Sequence, residues 1–130
     1  MISPDGFVMI VSQYGTSWSL PKGHVEGHES LIDTARREIY EESGVTDLEL
    51  VADLGNYERF RLGEDGLEDL SEFKTIFMFL FRTQTVLLQP LDVENPEALW
   101  LPREKVAKML THPKDREFFL SVEERVSREK

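Results

Sequence analysis

The sequence predicts an α/β fold, with short strands interleaved with helices in a single domain spanning residues 1–130. Three observations carry that expectation. Residues 7–11 (FVMIV) and 75–81 (TIFMFLF) are apolar runs of strand length, rich in β-branched or aromatic side chains. Residues 30–44 hold a cap, an apolar repeat and a stop, in helical order. Pro102 and Pro113 stand where two further helices can begin.

The elements follow in chain order. Ser3-Pro4-Asp5-Gly6 reads as a turn before the first strand, residues 7–11. Trp18-Ser19-Leu20 is a second short extended piece, ended by Pro21, and a polar loop runs from 22 to 29. The first helix starts at Ser30, which with Asp33 resembles a capping box. Leu31, Ala35 and Ile39 give it an apolar stripe, and Gly44 suits the left-handed residue that stops it. Residues 48–60 predict one or two strand segments, and the polar stretch 61–72 a long hairpin loop. Residues 75–81 are apolar on both faces, so the strand is expected to be central in its sheet, with Phe77 and Phe79 in the core. A turn-rich connection, 89–96, leads to a short strand at 98–101. A helix from Pro102 to about 110 and a last one over 114–126 follow, the latter packing Phe118, Phe119 and Val122 inward. No repeat, low-complexity tract or linker interrupts the chain.

Fifteen Lys and Arg against 25 Asp and Glu give a formal charge of -10, which argues against a nucleic-acid polymer as partner. A small phosphorylated ligand carried in with a divalent cation stays open. The sequence has no cysteine, which excludes disulfides, thiolate metal sites and cysteine nucleophiles. The early apolar run is too short for a signal segment or a membrane span, so a cytoplasmic location is expected.

The first helix poses a physical problem. At 100° per residue, Glu38, Glu41 and Glu42 fall within one arc of roughly 100°. Like charges at these spacings repel, and acids at a helix C-terminus oppose its dipole. No cation at the helix positions is expected to relieve them. Two readings remain. One is a solvated acidic face. The other is a site for a hard divalent cation, for which carboxylate oxygens are the natural ligands.

The wider spacing adds to this. Gly23, Glu29, Arg37-Glu38-Ile39, Glu41-Glu42 and Gly44-Val45 stand at the intervals G-x5-E-x7-R-E-U-x-E-E-x-G-U, U being a bulky aliphatic. This resembles the Nudix box of the MutT-like hydrolases at every fixed position. The resemblance implies a Nudix-type α/β/α sandwich, a mixed β-sheet between helices, with the box forming loop–helix–loop. It implies Mg2+- or Mn2+-dependent hydrolysis of a nucleoside diphosphate linked to another group. By the same resemblance Glu38, Glu41 and Glu42 are metal ligands, joined by the Gly23 carbonyl, and Glu38 and Glu41 also serve catalysis. Arg37 becomes the partner that holds Glu29 or Glu41. In many relatives the general base is a box glutamate or one from a later loop. Glu94 is the favoured candidate there, with Glu97 as the other, and both are candidate metal ligands.

Residues 18–26 (WSLPKGHVE) resemble the start of the box in diadenosine tetraphosphate hydrolases, where a lysine precedes the first glycine. Lys22 is thereby expected to contact a phosphate chain, and His24 phosphate or base. Tyr57, with Arg59, Arg61 and Lys74, is expected to line a substrate rim, the aromatic ring offering a stacking face. His28 and His112 are expected at the surface. Relatives usually carry a strand before the one at 7–11, where only residues 1–5 stand here, which leaves the base pocket least defined. The expected partner is a nucleoside polyphosphate of low molecular weight, and the chain a monomer or homodimer. ADP-ribose, oxidised nucleoside triphosphates, inositol pyrophosphates and a non-catalytic sensing role are the alternatives.

Overall fold

The computed structural model describes residues 1–13, 17–22, 27–62, 67–91 and 97–127. Strands β1 (Val8–Gln13) and β2 (Ser17–Ser19) come first, followed by helix α1 (Leu31–Ser43). A long hairpin of β3 (Glu49–Leu62) and β4 (Glu68–Arg82) follows, then β5 (Ala98–Leu101), α2 (Arg103–Met109) and α3 (Pro113–Ser127). Strand β1 pairs antiparallel with β2 on one side and β5 on the other. Strands β3 and β4 pair antiparallel along their length. Ile2 joins the two sets, bridging Val8 antiparallel and Arg82 parallel. Its N–H donates to the Phe81 carbonyl at 2.9 Å and its carbonyl accepts from Thr83 at 3.1 Å. The result is mixed pairing, as expected.

Strand alternation divides the apolar side chains between two cores. Val8 and Ile10 of β1 face α2 and α3, packing with Val106, Leu110, Phe118, Phe119 and Val122. Met9 and Val11 face α1, packing with Ile39, Val45 and Phe81. A strand buried on both sides needs an unbroken apolar run, which is why residues 7–11 show no polar alternation. Helices thus cover both faces of the sheet, and the α/β/α layering stands.

Four expectations change in detail. Leu31 is 40% exposed, and the buried stripe of α1 is Ile32, Ala35 and Ile39. The segment 61–72 is mostly strand, because β3 runs to Leu62 and β4 starts at Glu68. The run 75–81 is central only at its end: β4 meets Ile2 at Arg82, while its inward face holds Ile76, Met78 and Leu80. Phe77 is 43% exposed, because α1 reaches Phe79 and Phe81 on that face and stops short of it.

The ends of α1 fix the acidic segment. Ser30 Oγ accepts from the Asp33 N–H at 3.1 Å, and Gly44 closes the helix at φ 76° with its N–H on the Tyr40 carbonyl. A side chain at Gly44 would also stand 2.8 Å from the Gln89 carbonyl oxygen, so glycine is required twice over. Gln89 and Leu91 donate to the Ser43 and Glu41 carbonyls at 2.7 and 2.8 Å. The last turn of α1 is therefore clamped by the connection that leads toward β5. Among the described residues no helix is long and apolar enough to cross a membrane.

Candidate active site

The carboxylates of α1 are drawn together by one arginine. Arg37 Nε donates to Glu29 Oε2 at 2.8 Å, and its Nη1 reaches Glu38 Oε1 at 2.8 Å and Glu41 Oε1 at 3.2 Å. The expectation that no helical cation relieves the acids is corrected here, because the long guanidinium arm wraps back over its own turn. Glu29 also accepts from Thr34 Oγ1 at 3.2 Å, so it ties the loop before the helix to the helix itself. The hydrogen bond to Glu29 is the main reason that Arg37 holds its charge more firmly than usual.

Glu42 is the buried member, 2% exposed, and its Oε1 makes no hydrogen bond. Burial pushes its carboxyl well above the ordinary range; Lys22 opposes this and Glu38 adds to it. Glu38 is raised as well, by burial first. Two desolvated carboxyls beside each other cannot both ionise at little cost. A buried carboxylate oxygen lacking a donor, next to two more carboxylates, fits a hard divalent cation. Among the described residues no three acidic or imidazole groups already converge as a cation cage, since Arg37 engages two of the three glutamates.

The remaining expected ligands divide. Gly23 and Glu94 lie outside the described residues, as does His24. Glu97 is exposed at the start of β5, where its N–H donates to Ser12 Oγ at 3.1 Å and its carbonyl accepts from Ser12 N–H at 2.9 Å. The clamp at Gln89 and Leu91 brings the chain alongside Glu41 just before residues 92–96.

Across from the acidic turn lies a cluster of cations. Lys22 follows β2, its Nζ 3.4 Å from Ser19 Oγ and its backbone N–H on the Glu42 carboxyl. Burial brings its ammonium down to about 8, Arg59 pushing the same way and Asp115 and Glu42 opposing. Lys74 of β4 sits directly opposite Arg59 of β3 and has Glu72 at 3.6 Å. Tyr57 points at α3 and not along an open rim: its ring stacks on Phe118 at 4.6 Å and its hydroxyl donates to Asp115. Arg59 is likewise buried, 3% exposed, with Nε 3.5 Å from Asp115 Oδ1.

His112 is corrected from surface to interior. It is 1% exposed, its Nδ1 accepts from the Lys114 N–H at 3.0 Å, and its Nε2 stands 3.1 Å from Glu68 Oε1. That arrangement leaves the proton of the neutral ring on Nε2. Asp115 and His112 were missed because nothing in the local sequence separates them from the polar start of an ordinary helix. His28 is exposed, as expected.

The chain is similar to several known proteins. The chain is 34% identical over 99 residues to a protein named as mutator protein MutT4 from Mycobacterium tuberculosis, a match covering 76% of this chain and 38% of that protein. It is 47% identical over 34 residues to an RNA pyrophosphohydrolase from Bartonella henselae, covering 26% of this chain and 20% of the relative. The chain therefore spans two-fifths or less of the length of these curated relatives. The solved structure of a MutT protein from Methanosarcina mazei superposes with a TM-score of 0.67 at 27% identity, covering 98% of this chain and 88% of that one. The model of the NUDIX domain matches residues 1–122, and the chain belongs to that family.

Proposed function

We propose that this chain hydrolyses a pyrophosphate bond in a nucleoside polyphosphate, with Mg2+ or Mn2+ as cofactor and a dinucleoside polyphosphate such as diadenosine tetraphosphate as favoured substrate. The observation that carries the reading is the buried Glu42 oxygen with no hydrogen bond, set beside Glu38 and Glu41 at one helix end. Glu38, Glu41 and Glu42 would hold the cation, with the Gly23 carbonyl, Glu94 and Glu97 as further oxygen donors. When bound, the cation supplies neutralisation of phosphate charge and a more acidic water. Arg37 holds Glu38 and Glu41 in place through ion pairs at 2.8 and 3.2 Å. Glu41, half-exposed on the last turn, or Glu94 in the following connection takes the proton from the attacking water. Phosphorus then receives the water oxygen and releases the remaining phosphate chain.

Lys22, His24 and Lys74 are the proposed contacts to the phosphates. The lysine before the first box glycine supports the dinucleoside polyphosphate choice. The name of one curated relative, an RNA pyrophosphohydrolase, supports pyrophosphate chemistry, and the net charge of -10 disfavours a polymer substrate here. The packing of Tyr57 against α3 leaves its phenol less available for stacking on a base. The reading includes a cytoplasmic location and a monomer or homodimer.

A phosphate-release screen with Mg2+ and with Mn2+ tests this. It would compare diadenosine tetraphosphate, ADP-ribose, ordinary and oxidised nucleoside triphosphates, and an inositol pyrophosphate, with coupling enzymes to free phosphate. Metal-dependent turnover that favours the tetraphosphate is expected. Turnover favouring another compound replaces the substrate. No turnover with Mn2+ still bound replaces the hydrolase with a nucleotide-sensing domain.

A further inference from the structure

We propose that Arg59 is the floor of an anion subsite for the polyphosphate chain, with Asp115 of α3 as the residue that positions it. The inference deepens the hydrolase reading above and rests on it for the identity of the anion.

The argument starts from an imbalance of donors. Arg59 is 3% exposed, yet neither Nε nor Nη1 makes a hydrogen bond. A guanidinium carries five N–H donors, and burying them without acceptors is costly. Asp115, itself fully buried, is the carboxylate beside it, and the 3.5 Å separation is an ion pair without hydrogen-bond geometry. Asp115 Oδ1 is already taken by the Tyr57 hydroxyl. Asp115 Oδ2 also makes no hydrogen bond, so two unmatched donors of Arg59 stand against one open acceptor, and Asp115 fixes where Arg59 sits without saturating its donors.

The register supplies the second observation. Lys74 stands directly opposite Arg59 across the β3–β4 pair. Like charges in that relation destabilise a sheet, and the chain has 25 acids from which to choose a better partner. Lys22 stands close enough to Arg59 and Lys74 to feel both charges. Lys74 has Glu72 at 3.6 Å, while His112 faces Glu68 and is kept toward its neutral form by burial. Three cations thus gather, Arg59 beside the buried Asp115 carboxylate and Lys22 within reach of both Asp115 and the buried Glu42. The Lys74 side chain is 21% exposed, which gives an anion a way in. Because the Lys22 N–H also rests on Glu42, the cationic floor adjoins the carboxylate turn of α1. A phosphate chain lying from that turn to Arg59 would meet a cation-holding end and a guanidinium end.

A strut between β3 and α3 is the plain structural alternative. Calorimetric titration of the full chain with inorganic tripolyphosphate, in chelator and without metal, separates the two. Replacing the pair together, Arg59→Met with Asp115→Asn, leaves net charge unchanged and removes both buried ions, so the fold is spared a lone charge. Tripolyphosphate binding to the parent chain is expected, weakened by about tenfold or more in the double variant, the size of a lost charge-assisted hydrogen bond. An unaltered melting temperature should accompany that loss. Absence of binding to the parent chain, or equal affinity in the double variant, overturns the proposal. If the double variant does not fold, Arg59→Lys replaces it: the ammonium cannot fork, so weaker binding supports the subsite and unchanged binding overturns it. Arg59-dependent binding without turnover of any nucleotide would sink the hydrolase reading alone. Turnover without Arg59-dependent binding would sink the subsite alone.

Discussion

The two ends of the candidate site are built on different principles. The acidic end is local: Glu38, Glu41, Glu42 and Arg37 lie within one and a half turns of α1, and helix geometry alone brings them together. The cationic end is non-local. Lys22 comes from the segment after β2, Arg59 from β3, Lys74 from β4, and Asp115 from α3. The acidic end keeps its repulsion in check with Arg37, which touches three carboxylates. The cationic end is compensated more loosely: Arg59 Nε is 3.5 Å from Asp115, Lys74 is 3.6 Å from Glu72, and Lys22 lies near Asp115 and Glu42. On the proposed function, an acidic turn adjoins a cationic floor, and a polyphosphate with its metal would suit both ends.

The sharpest way to test that contrast is to break the acidic end. Glu41→Gln removes a proposed ligand and proton acceptor while Arg37 retains Glu29 and Glu38. Turnover should fall by about 10²- to 10⁴-fold, the range for loss of a positioned acid–base group, while the melting temperature holds. An unchanged kcat would remove Glu41 from the chemistry. Because Glu41 is half-exposed and its loss creates no cavity, a collapse of the fold is not expected to confuse the result.

Lys22 probes the seam between the two ends. Lys22→Ala should raise KM for tetraphosphates more than for diphosphates, by a few-fold to about tenfold, as expected for one charge-assisted phosphate contact. Equal effects on both substrates would mean that Lys22 supports Glu42 and does not read phosphate length. A fall in kcat with KM unchanged would move Lys22 wholly to the acidic end.

The same contrast explains what could be read before the structure. The acidic end was legible because its residues are neighbours in sequence, so spacing and geometry are nearly the same information. Ser30 and Gly44 bounded α1 for the same reason: caps act on the backbone beside them. The cationic end depends on register. That Arg59 meets Lys74 follows from bulges in β3 that shift the pairing after Leu50 and after Asp53; the second is marked by Gly55 at φ 87° with its N–H on Asp53 Oδ1, the first by no such residue. The exposure of Phe77 depends on how far α1 extends over the sheet, and the contact of His112 with Glu68 depends on β4 beginning at Glu68. Each of these is a tertiary fact that a strand or helix pattern does not contain.

His112 gives the smallest effect and tests the electrostatics of the cationic end directly. The imidazole is held below its ordinary value of 6.5, first by burial and then by Arg59, with Asp115 and Glu68 pulling the other way. A base with a depressed folded value binds its proton more readily in the unfolded chain. Its contribution to stability is therefore fully present above about 6.5 and is lost as the pH falls through the lower folded value. Denaturant unfolding from pH 8 to pH 5 should show the chain weakening on acidification, and His112→Asn should flatten that slope while keeping an acceptor for the Lys114 N–H. A slope identical in the two chains would mean that Glu68 compensates the buried proton in full, and the cationic end would then be less positive than its geometry implies.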